Sequence, residues 1–181
     1  MIESRVAYYS KSLKRFQDLF EPSVDVDLLH RDLIRLTVQS PRELIRLLDI
    51  ICREHDARRT GTLIDEASIV AGFDKYVIET INSWYSEKSL KQILRLGKQF
   101  FVNRDVQAKF KISDQGARVK IQGWVDAGIV RQDGTVASET VGKPAYRFVV
   151  DDPRVSRIIN RQLDQLVGSE VPDEEAGDRT D

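Results

Sequence analysis

Apolar residues recur at three- and four-residue spacing along most of the chain, which predicts a mainly helical protein. Val6, Tyr9, Leu13, Phe16 and Phe20 share one face of an amphipathic helix over residues 4–20, broken by Glu21-Pro22-Ser23. Asp25 caps a second helix through about Val38, with Leu28, Leu29, Leu33 and Leu36 inward. Ser40-Pro41-Arg42-Glu43 opens a third: Ser40 is the N-cap, Pro41 takes the first helical position and Glu43 completes a capping box. Its predicted buried face is Leu44, Ile45, Leu47, Leu48, Ile51 and Cys52; it frays from His55 and ends at Thr60-Gly61. Asp65 starts a fourth helix carrying Ile69, Phe73, Val77, Ile78 and Ile81 to about Ser83. Residues 1–85 thus read as a helical bundle.

The pattern changes near Glu87. Leu90, Ile93, Leu94 and Leu96 predict a short helix stopped by Gly97. Gln99–Val102 is a brief apolar run with strand character, and Asn103 caps a helix through Phe110. Ser113 caps another helix running to Ala127, stopped by Gly128. Ile129–Gln132 and Ala145–Val150 read as strands, with polar, Gly- and Pro-containing sequence between them. Asp151-Asp152-Pro153 opens a last helix with Val155, Ile158, Ile159, Leu163 and Leu166 on one side. This order of elements is that of a winged helix-turn-helix domain, placed at 86–166. Residues 167–181 are acidic, lack aromatics and read as a disordered tail.

Composition narrows the function. The 181-residue chain has a net charge of −1, so general attraction to nucleic acid is not expected and any basic surface must be local. Residues 95–148 hold 10 basic and 5 acidic side chains, whereas residues 149–181 hold 4 basic and 9 acidic. A basic module therefore precedes an acidic end, which reads first as a solubilising tail and alternatively as a competitor with phosphate for the basic face. The single cysteine, Cys52, forms no internal disulfide, and no stretch reads as a signal peptide or membrane span; a cytoplasmic setting without membrane contact is the expectation.

The stretch "SDQGARVKIQGWVDAGIV" (113–130) carries the main candidate site. Ala117, Ile121, Trp124 and Val125 fall on one helical face, and Trp124 is large enough to anchor a small core. Gln115, Arg118, Lys120 and Gln122 lie toward the other side, and amides and cations are what base-edge and phosphate contacts use. Arg104, Lys109 and Lys111 add charge around the preceding helix, and Lys143 and Arg147 sit where a basic wing reaches a backbone phosphate. The expected ligand is duplex DNA. The plainer alternative is a third helix with a solvated charged face, in a domain that holds a protein partner.

The run "VQSPRELIRLLDIICREHDAR" resembles the sensor-2 helix in the lid of AAA+ and related STAND-type P-loop ATPases. A lid followed directly by a winged helix is an order found in that group. The resemblance implies that Arg42 is the arginine that senses the γ-phosphate of ATP bound to a neighbouring core domain, and that the chain is the C-terminal part of such an ATPase. The chain itself carries no G-x-x-x-x-G-K-[ST], so no cofactor is expected in it, and ATP only with an ATPase core present in cis or in trans. A plain helix start explains "SPRE" equally well.

Other candidates are weaker. Cys52 and His55 are three apart on one helix but lack further ligands, so a core thiol beside a surface imidazole is expected rather than a metal site. Tyr8-Tyr9 and Trp84-Tyr85 read as packing residues. With no acid/base pair or nucleophile motif, a non-enzymatic binding module is expected.

Overall fold

The computed structural model describes residues 15–38, 40–59, 61–136 and 144–167. The protein is mostly helical, with one small three-stranded antiparallel sheet among the described residues. The chain divides into two compact units between Trp84 and Tyr85.

The first unit holds helices α1 (Val26–Leu36), α2 (Pro41–Arg58) and α3 (Glu66–Thr80), the last extended by a 3-10 turn, Ile81–Ser83. Each helix begins on a side-chain cap. Asp25, Ser40 and Asp65 accept the backbone N–H groups of Leu28, Glu43 and Ser68, which satisfies donors the helix leaves open. The core is built from Leu29, Leu33 and Leu36 of α1, Leu44, Leu47 and Ile51 of α2, and Ile69, Phe73 and Val77 of α3. Each such side chain contributes roughly 1.5–3 kcal/mol by leaving water. Gly72 lets α2 and α3 approach closely: a Cβ there would lie 2.6 Å from Ile51 Cγ1 and 2.9 Å from its Cα.

Residues 4–14 of the predicted first helix, and Tyr8-Tyr9 with them, lie outside the described residues; Phe16–Leu19 is a single 3-10 turn. Phe20 then pairs with Ile64 in an isolated bridge, and Phe16 stacks on His30. Leu28 and Ile45, predicted inward, are 47% and 49% exposed, because each lies at the edge of a helical face whose centre suffices to fill the core. The Cys52–His55 assignment is reversed. The Cys52 thiol is on the surface side of α2, whereas the imidazole is buried at 8% exposure. No group of three metal-ligating side chains occurs among the described residues. Glu43 does not close the predicted capping box: its carboxylate accepts the Tyr76 hydroxyl at 3.0 Å, and the Ser40 N–H goes to the Thr37 carbonyl. α2 continues to Arg58 rather than fraying from His55, and Arg59 ends it in the left-handed conformation.

The second unit runs α4 (Glu87–Leu96), β1 (Phe100–Val102), α5 (Asn103–Phe110), α6 (Asp114–Asp126), β2 (Val130–Val136), β3 (Ala145–Val150) and α7 (Pro153–Arg161). β3 lies between β1 and β2, antiparallel to both. Phe101 pairs with Phe148, and both rings stack on the face of the sheet that meets α6. Trp124 of α6 meets Phe101 edge-on at 5.9 Å, and Ala117, Ile121 and Trp124 are all buried. Val125, assigned to the same face, is half-buried at its margin. α6 ends in a Schellman arrangement: Ile129 N–H donates to the Trp124 carbonyl and Gly128 N–H to Val125, with Gly128 at φ 72°. Val167, placed in the tail by sequence, is buried; residues 168–181 lie outside the described residues.

One ionic cluster is buried in this unit among the described residues. Asp152 caps α7 and pairs with Arg154, and the Tyr85 hydroxyl donates to the same carboxylate. Burial alone would raise the Asp152 carboxyl, but the bonds from Arg154 and Tyr85 outweigh it and hold the group below the usual carboxylate range. Burial, then the bond to Asp152, pushes the Tyr85 phenol up to about 12. No helix among the described residues is long and apolar enough to cross a membrane.

Candidate nucleic-acid interface

The side of α6 opposite Trp124 is built from residues at positions 115, 118, 119, 122 and 126, which helical spacing brings together. Gln115, Arg118, Val119 and Gln122 are all exposed on it. Ser113 starts the helix by accepting the Gly116 N–H at 3.1 Å.

Asp114 organises the helix entrance. Its carboxylate pairs with Arg118 at 2.8 Å and accepts the side-chain amides of Asn103 at 2.7 Å and Gln107 at 3.3 Å. It thereby ties α5 to α6 and fixes the arginine. This corrects the expected role of Asn103. The residue occupies the first turn of α5 and reaches across to α6, while Asp105 accepts the Val102 N–H at the start of α5. An acid three residues after Val102 is the sequence signal for that arrangement.

Of the six residues predicted to contact nucleic acid, Gln115, Arg118 and Gln122 come together on this one surface. Gln122 donates one amide N–H to Asp126 at 2.8 Å, and its carbonyl and second N–H have no hydrogen-bond partner among the described residues. Lys120 lies apart, half-buried, with its ammonium 4.8 Å from the centre of the Phe110 ring. Arg147 also lies apart. Alternation along β3 turns it to the sheet face opposite Phe148, where it bonds Asp133 at 2.7 Å and covers the Phe100 ring at 5.6 Å. Lys143 lies outside the described residues. Tyr146, which sequence reasoning passed over, shares the Phe148 face of β3 and is 60% exposed. The two-residue alternation around Phe148 was the signal for it.

The charges divide by element. On α6, Arg118 faces Asp114, whereas the Gln122 amide leaves the Asp126 charge uncompensated, so this surface carries one net negative charge. On and just after α5, Arg104, Lys109 and Lys111 are exposed and make no ion pair among the described residues. In the first unit, Arg42 is exposed in the first turn of α2. No protein-family model matches the chain, and no curated protein matches it at significant similarity.

Proposed function

We propose that this chain is a non-enzymatic binding module whose second unit is a winged helix that engages duplex DNA. The observation that carries this reading is the outward face of α6, where Gln115, Arg118 and Gln122 stand together, exposed, directly opposite the Trp124 anchor. α6 enters the major groove with this face toward the base edges. Glutamine pairs in two-point fashion with adenine and arginine with guanine. The cations Arg104, Lys109 and Lys111, exposed and without an ion pair among the described residues, supply the phosphate contacts, in keeping with a first helix that crosses the backbone. Division of labour between a reading helix whose outward face has no net positive charge and a cationic neighbour predicts low non-specific affinity, consistent with the net charge of −1.

The test is fluorescence anisotropy with a labelled random-sequence 20-base-pair pool, followed by selection from that pool. Saturable binding, and an enriched sequence that Gln115→Ala with Gln122→Ala no longer prefers, are expected. Absence of saturable binding at low salt overturns the proposal.

A second reading rests on Arg42. An exposed arginine in the first turn of an 18-residue helix can reach a phosphate on a neighbouring domain, and the resemblance to ATPase lids assigns it that task. The chain is then the regulatory portion of a P-loop ATPase, with the second unit holding a protein partner. ATP response that is identical for Arg42→Ala and the unaltered sequence, in the presence of a core domain, refutes it.

A further inference from the structure

Val119 is 64% exposed in the middle of α6, on the face that bears Gln115 and Gln122. It adds nothing to the core, and valine is a poorer helix former than the alanine, lysine or glutamate that would serve a solvated position. On α6 it is a lone apolar group among two amides, an arginine, the carboxylates of Asp114 and Asp126 and the glycines Gly116 and Gly123, rather than part of an apolar stripe on that helix. At Gly123, one turn further on, a Cβ would meet nothing within 4 Å among the described residues. The preceding helix and its turn add the exposed cations Arg104, Lys109 and Lys111, which suit a polyanion.

Building on the reading of α6 as a DNA-reading helix, we propose that Val119 packs against the 5-methyl group of a thymine in the major groove, with Gln115 or Gln122 on an adenine beside it. A thymine methyl is the one apolar feature that the major-groove edge presents. A valine without a side-chain neighbour at Gly123 has room to reach it. The amides on either side, at i−4 and i+3, have the chemistry that recognises adenine N6 and N7. The inference assigns a ligand class: duplex sites containing A·T steps, read from the major groove.

The decisive experiment changes the ligand by the methyl alone. The duplex enriched from the random pool is synthesised with uracil replacing thymine at one position at a time, and affinities are measured for the unaltered protein and for Val119→Ser. The unaltered protein is expected to lose about fourfold at one thymine, the factor for one buried methyl-sized group. Val119→Ser is expected to bind the thymine and uracil duplexes equally, with a thermal melting curve close to that of the unaltered protein because the side chain is exposed. If duplex binds but no thymine is sensitive to loss of its methyl, or if Val119→Ser keeps the same sensitivity, the role of Val119 is overturned while the DNA reading stands. If no duplex binds, both fall, and the face is left to a protein partner.

Discussion

Salt dependence tests the division of charge most directly. The perturbation is the triple replacement Arg104→Ala, Lys109→Ala, Lys111→Ala, three exposed cations with no ion pair among the described residues. If each neutralises one phosphate, together they contribute about −2.7 to the slope of log K against log salt, at roughly −0.9 per contact. Between about 50 and 200 mM salt, that contribution alone amounts to a loss of about 40-fold in affinity. The triple variant is expected to show a slope shallower by about that 2.7, and each single variant by about 0.9. Arg118→Ala is expected to behave differently. Asp114 lies 2.8 Å from that guanidinium and already offsets its charge, so affinity falls with little change in slope. The assay is anisotropy titration of one 20-base-pair duplex across the salt series. A triple variant whose slope equals that of the unaltered protein, or an Arg118→Ala variant that accounts for most of the slope, would refute the assignment of phosphate contacts to α5 and its turn.

Gly123→Ala is expected to raise stability by about 0.4–1 kcal/mol, since its Cβ meets nothing in the protein, while weakening duplex binding; calorimetry and anisotropy on the same sample check both. Asp152→Asn keeps a helix-capping acceptor but leaves Arg154 buried without its counter-charge, and is expected to cost about 3–5 kcal/mol in urea unfolding. Because the Asp152 carboxyl titrates lower in the folded than in the unfolded chain, its stabilisation is full above the unfolded value of about 4. That stabilisation disappears as pH falls through the lower folded value, so the gap between variant and unaltered protein should close there. Gly72→Ala forces a Cβ against Ile51 backbone at 2.9 Å and is expected to destabilise the first unit by about 1–3 kcal/mol, read from its melting temperature.

The helices and their starts were legible in the sequence because caps act locally. Asp25, Ser40, Asp65 and Ser113 each satisfy an N–H three residues ahead, a relation that no distant residue has to complete. Glycine stops at Gly97 and Gly128 were legible for the same reason, since the left-handed turn is set by the residue itself. The core face of α6 followed from spacing, with Trp124 at its centre.

Other features needed a partner from elsewhere in the chain. Periodicity gives the direction of a helical face but not its width, and the packing of α2 on α3 decided that His55 is buried while Cys52 and Ile45 are not. The Glu43 carboxylate was drawn away from its own helix by Tyr76, 33 residues later. Arg147 and Lys120 look like free cations in a linear reading. Strand alternation and the Phe110 ring remove them from the face that gathers Gln115, Arg118, Val119 and Gln122. The sequence by itself therefore determined the helices whose starts rest on a local cap, those at Asp25, Ser40, Asp65 and Ser113. Only the tertiary structure decided which charges are left over for a ligand, because an ion pair, a ring contact or a buried edge depends on residues that local pattern does not relate.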